Sequence, residues 1–92
     1  METIFSKIKK LAKTQRLSQG QVHNIHLDMS YITEEVGELA KDLVDGDLKH
    51  AKDEAADVAI TALSMYSRLG GSYNELKKII AKQLKKWERS IK

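Results

Sequence analysis

The sequence predicts an all-α fold: a single domain over residues 1–92, built as a four-helix bundle and completed by homo-oligomerisation. Three observations carry this expectation. The chain has no proline, only 5% aromatic residues, and 41% hydrophobic against 32% charged residues, a profile that suits a helical globular protein. Its apolar residues recur in alternating steps of three and four, the helical period. At 92 residues it buries only about 60–65% of its unfolded surface, so its core is marginal, and association between copies is a common remedy.

The first helix is expected over residues 2–16, with Ile4, Phe5, Ile8, Leu11 and Ala12 on one face. Ser18-Gln19-Gly20-Gln21 has the form of a capping box and opens a second helix near Gln19 that runs to Val44. Its seam is Val22, Ile25, Met29, Ile32, Val36, Leu39 and Leu43. Such a helix is roughly 40 Å long. It overhangs a compact domain of this size, whose radius of gyration is about 12 Å, and so points to a partner chain. Asp45-Gly46-Asp47 is turn chemistry, with Gly46 suited to the left-handed conformation and Asp47 to an N-cap. The third helix is expected over 48–69, with the seam Leu48, Ala51, Ala55, Val58, Ala62, Met65 and Leu69. Between Ala55 and Leu63 it is apolar nearly all round, which places it at a subunit interface. Gly70-Gly71 ends it. Ser72-Tyr73-Asn74-Glu75 is a second capping box, opening a fourth helix to Ser90 with the stripe Leu76, Ile79, Ile80, Leu84, Trp87 and Ile91.

Nine of the 13 acidic residues lie between Glu34 and Asp57. Two clusters stand out, Glu34-Glu35-Val36-Gly37-Glu38 and Glu54-Ala55-Ala56-Asp57. Glu35/Glu38 and Glu54/Asp57 are each spaced i, i+3, on one face of a helix and on the shoulder of its seam. The two pairs are equidistant from the turn at Gly46, so an antiparallel hairpin sets them at the same height. Acidic helix faces are ordinarily solvated and salt-bridged. Here Glu35 and Asp57 have no cation at i±3 or i±4, and each like-charge pair costs roughly 0.2–0.5 kcal/mol even on an isolated helix, more when buried. Carboxylates gathered this way need protons or a cation between them, which makes Glu35, Glu38, Glu54 and Asp57 candidate metal ligands. Glu34 lies almost opposite the seam and is expected to be more exposed. All-oxygen ligation suits Mg²⁺, with Mn²⁺ as the alternative. Absence of cysteine excludes a thiolate zinc site, and neither cluster carries the Glu-x-x-His motif of di-iron bundles.

The sequence contains no run of about 18 apolar residues and so no membrane span. The first seven residues lack the basic head and apolar core of a signal peptide, and cysteine is absent; both fit a cytoplasmic protein. The net charge of +3 conceals an acidic middle and a basic last helix. That asymmetry suits a metal with a phosphorylated ligand better than nucleic acid, which the acidic segment repels. Lys82, Lys86 and Arg89 are candidate phosphate-binding residues; a solvated helix face is the plain alternative. Trp87, on the stripe, is expected in the core. Tyr31 and Tyr66 are expected as core or rim residues, and His23, His26 and His50 as surface or hydrogen-bonded residues.

Glu34-Glu35-Val36-Gly37-Glu38-Leu39 followed by Asp53-Glu54-Ala55-Ala56-Asp57-Val58, with the basic helix of Lys82, Lys86 and Arg89, resembles the MazG-like nucleotide pyrophosphohydrolases over residues 22–90. The resemblance implies a MazG-like bundle and Mg²⁺-dependent hydrolysis of a nucleoside triphosphate, NTP or dNTP, to the monophosphate and pyrophosphate. It is compatible with house-cleaning of the nucleotide pool. It also implies homodimers or homotetramers with sites near the subunit interface, Glu35, Glu38, Glu54 and Asp57 as metal ligands, and Glu34 as an outer ligand or water-orienting group. A non-catalytic dimeric helical interaction module is the principal alternative, and a nucleic-acid binder using the fourth helix a second.

Overall fold

The computed structural model describes residues 3–14 and 25–91, with residues 13 and 14 as backbone only. Four helices make up these segments: α1 (Ile4–Thr14), α2 (Ile25–Asp45), α3 (Leu48–Arg68) and α4 (Tyr73–Ile91). No strand occurs among the described residues. The capping box at residues 18–21, Val22 and His23 lie outside them.

Local chemistry sets the helix boundaries. Thr3 Oγ1 accepts from the Ser6 amide at 2.9 Å and caps α1. At the α2–α3 turn, Gly46 takes φ 77° and Asp47 accepts from the His50 amide at 3.2 Å. Gly70, at φ 91°, follows α3, and Ser72 Oγ accepts from the Glu75 amide at 3.2 Å to start α4. Gly71 is buried for a steric reason. A Cβ there would stand 2.2 Å from the Tyr66 ring, whose hydroxyl donates to the Ser72 carbonyl at 2.9 Å. Phe5 meets Tyr66 edge-on at 5.9 Å and stacks on Tyr73 at 6.0 Å, so the start of α1 holds the α3–α4 corner.

α2 and α3 form the principal antiparallel pair, and α1 packs on α3. α4 packs against no other helix to a comparable extent. The radius of gyration is 15.4 Å, well above the ~12 Å of a compact chain of this length. The apolar core is correspondingly small: among the described hydrophobic residues only Phe5, Ala12 and Ala51 are buried.

The hairpin is rotated from the face the sequence suggests. The buried and half-buried positions of α2 include Asp28, Ile32, Glu35, Leu39 and Asp42; those of α3 include Ala51, Glu54, Val58, Thr61, Met65 and Arg68. Met29, Val36 and Leu43 of the expected seam are 55%, 48% and 57% exposed, and Leu48 and Leu69 are also exposed. Each helix has more apolar surface than one partner covers, and the α2–α3 contact uses the shoulder that carries the acids. Trp87 is likewise 64% exposed rather than in the core, because the α4 stripe beyond Leu76 is left largely open by the other helices.

One buried ion pair joins three helices. Asp28 is 2% exposed and receives Arg68 Nη1. Arg68 also donates to Ser64 Oγ at 3.0 Å and, from Nη2, to the Ala12 carbonyl at 3.0 Å.

Candidate metal centre

Three of the expected carboxylates converge. Glu35 of α2 and Glu54 and Asp57 of α3 each offer an oxygen within 4.8 Å of the others. The register of the hairpin produces this. Residues 54, 57 and 61 follow i, i+3, i+7 on α3, and this face turns toward Glu35 across the contact. Glu38, expected as a fourth ligand, stands outside this group: one turn further along α2 it is exposed and lines an adjoining cleft, near enough for its charge to act on Glu54. Glu34 is exposed at the cleft rim, as its position opposite the seam suggested.

Glu54 is the most constrained of the set. Its Oε2 is buried and has no hydrogen-bond partner. Burial pushes its carboxyl above the ordinary value of 4.5, and the neighbouring carboxylates of Glu38, Asp57 and Glu35 push it further. A buried, unsatisfied carboxylate oxygen facing other carboxylates fits the demands of a hard divalent cation, and an all-oxygen donor set is the kind Mg²⁺ and Mn²⁺ take. Glu35 is held from outside the acidic set. Thr61 Oγ1 donates to its Oε1 at 2.8 Å. This contact was not read from the sequence, although Thr61 continues the face of Glu54 and Asp57 by one turn.

The cleft beside the cluster has a volume of about 750 Å³. Its acidic end carries Glu34, Glu35 and Glu38; Ile8, Leu11, Ala12 and Ile60 supply apolar wall; Tyr31, Thr61, Ser64 and Asp28 complete the lining. Lys82, Lys86 and Arg89 stand exposed on α4, and none of them lines this cleft. Asp42, Asp47 and His50 form a second group at the α2–α3 turn, with His50 Nδ1 3.8 Å from Asp42 and 3.7 Å from Asp47. That group surrounds the N-cap of α3, and Asp47 and His50 are exposed.

A model of the MazG-like family matches residues 27–91, which includes both acidic clusters and their cleft-facing helices. The chain belongs to the MazG-like family. Comparisons with curated proteins and with solved structures returned no match. Membership agrees with the all-α architecture and with a metal-dependent hydrolase of the pyrophosphatase type. No described helix of this MazG-like chain is long and apolar enough to cross a membrane.

Proposed function

We propose that this MazG-like chain is a Mg²⁺-dependent nucleoside triphosphate pyrophosphohydrolase. It would convert an NTP or dNTP and water to the monophosphate and pyrophosphate, as part of nucleotide-pool house-cleaning in the cytoplasm. The observation that supports this most is the partly buried Glu35–Glu54–Asp57 cluster, with the unsatisfied Glu54 oxygen, beside a cleft of nucleotide size.

In this reading Glu35, Glu38, Glu54 and Asp57 hold the cation, with Mn²⁺ able to replace Mg²⁺. A cation held by these residues would supply charge neutralisation for the phosphates and activation of water. Glu34, at the rim, orients the attacking water or serves as an outer ligand. Attack at phosphorus breaks the α–β anhydride bond and leaves pyrophosphate. Lys82, Lys86 and Arg89 bind the outer phosphates and the leaving group. Because they lie off the protomer's own cleft, we assign them to the cleft of a partner copy in a homodimer or homotetramer. The exposed apolar rows of α2, α3 and α4 supply surface for that association.

A panel of canonical and modified NTPs and dNTPs, assayed for pyrophosphate with Mg²⁺, tests the reading. Pyrophosphate release that is lost in Glu38→Gln supports it; release of orthophosphate overturns the bond assignment. The exposed apolar surface also fits the second reading, a helical interaction module without catalysis. Mg²⁺ separates the two: it raises the melting temperature of the enzyme, and Glu38→Gln abolishes the rise, whereas the module is indifferent to it.

A further inference from the structure

Thr33 and Thr61 both sit mid-helix, yet their hydroxyls do different things. Thr33 Oγ1 donates to the carbonyl four residues back, Met29 O, at 2.7 Å, the usual local outlet for a helical threonine. Thr61 Oγ1 donates across the hairpin to Glu35 Oε1 at 2.8 Å, 26 residues away. A hydroxyl has one proton to give, so this donation replaces the local bond. It also occupies one lone pair of a carboxylate that lies among other carboxylates.

We propose that Thr61 is a positioning residue of the carboxylate cluster: its hydroxyl fixes the Glu35 carboxylate so that its remaining lone pairs face Glu54 and Asp57. The proposal rests on the metal-centre reading above. Three features carry it. The contact is partly buried, so water does not substitute freely for the hydroxyl. The donor and two of the acidic residues share one rigid helical face, which sets Glu35 relative to Glu54 and Asp57 without a flexible loop. Glu35, a side chain with three rotatable bonds, has no cation to hold it among its helical neighbours Tyr31, Ile32, Glu38 and Leu39. Outer hydrogen bonds that orient a ligand typically change metal affinity by about 10–100-fold when removed.

The test titrates Mn²⁺ into the purified full chain and reads free Mn²⁺ by electron paramagnetic resonance, with helicity followed by circular dichroism. Thr61→Val keeps the branched shape and removes the donor; it is expected to bind Mn²⁺ about 10-fold more weakly. Thr61→Ser restores the donor and wild-type affinity. In a Glu35→Gln background, Thr61→Val adds no further loss. Wild-type affinity in Thr61→Val, or an undiminished penalty in the Glu35→Gln background, overturns the proposal while leaving the metal centre standing. Absence of Mn²⁺ binding by the wild-type chain overturns the metal centre and this inference with it. If Thr61→Val does not fold, Thr61→Ala takes the same measurements with the same criteria.

Discussion

The α2–α3 hairpin and α4 are of similar length, 21, 21 and 19 residues, and each helix carries an apolar stripe, but the chain treats them differently. The hairpin turns its acid-bearing shoulder inward and is clasped to α1 by Asp28 and Arg68. α4 is fastened at its first turn by Tyr73 and the Tyr66 hydroxyl bond, and beyond it Ile79, Ile80, Leu84 and Trp87 stay exposed. An apolar stripe is therefore not sufficient for burial; a covering surface is also needed. In the hairpin, polar contacts occupy positions an apolar core would ordinarily fill, and the apolar positions displaced by them face outward. Buried charge of this kind is weak support for stability and a common feature of functional sites.

The sharpest way to break the comparison is at its clasp. Arg68→Met removes the guanidinium paired with Asp28, which is 2% exposed, and the donor to Ala12 O. Breaking one partner of a buried pair costs about 3–5 kcal/mol, a large share of the stability of about 5–10 kcal/mol that a chain of this length has. Urea unfolding followed by helicity measures the loss, and a midpoint equal to wild type would show that the clasp is ornamental. Gly71→Ala attacks the anchor of α4 instead. Its new methyl overlaps the Tyr66 ring, which must shift and loosen its bond to Ser72. Overpacking of this kind costs about 1–3 kcal/mol, read in the same unfolding experiment. Phe5→Ala, which empties the same corner from the α1 side, is expected to be non-additive with it.

Much of this was legible in the sequence because it is local. Four helices, the positive-φ glycines 46 and 70 closing two of them, the Asp47 cap and the Ser72–Glu75 box follow from spacing and residue type within a few positions. The approach of Glu35 to Glu54 and Asp57 was legible for the same reason, since i, i+3 spacing and equal distance from a turn set their heights; that Glu38 stays outside the group was not. What was not legible is non-local. Asp28 stands three residues after Ile25 and four before Ile32, a core position holding an acid, which is a signal of a buried partner. The partner is Arg68, 40 residues on, and no spacing rule connects them. The rotation of the hairpin is of this kind too. Seams read from apolar periodicity assume the apolar face meets the nearest helix, and here Glu35 and Glu54 are turned inward while Val36 and Ala55 are exposed. Thr61 was overlooked because a lone hydroxyl in an apolar run reads as a tolerated polar residue until its acceptor is known.

A pH series sharpens the acidic half of the comparison with a smaller effect, a slope rather than a step. The Glu54 carboxyl is raised in the folded protein, by burial first and by Glu38, Asp57 and Glu35 after it. In the metal-free chain the folded state therefore holds this proton at pH values where the unfolded state has released it. The contribution is fully present below the ordinary value of 4.5 and is lost as pH rises through the higher folded value, so metal-free stability is expected to decline on that rise. Glu54→Gln removes this component of the pH dependence. If the cluster binds Mg²⁺ as proposed, the ion is expected to oppose the decline in wild type near neutral pH and to do less in the variant. A metal-free profile that is identical in wild type and Glu54→Gln would show that Glu54 is solvated rather than confined.

The least change is expected where the comparison says α4 lies outside the protomer's fold. Trp87 is 64% exposed, so Trp87→Ala should alter the unfolding free energy of the dilute monomer by no more than about 0.5 kcal/mol, as for an ordinary surface position. An aromatic side chain on an open apolar stripe is, however, a strong anchor for a second chain. At higher concentration the wild-type melting temperature should therefore rise with protein concentration, as mass action requires when only the folded state associates, and Trp87→Ala should flatten that dependence. Analytical ultracentrifugation across the same range reads the association directly. A loss of several kcal/mol in the dilute monomer would place Trp87 in the protomer's own core and erase the distinction between α4 and the hairpin. A concentration dependence unchanged by the variant would assign association to the exposed rows of α2 and α3 at Met29, Val36, Leu43, Leu48 and Leu69.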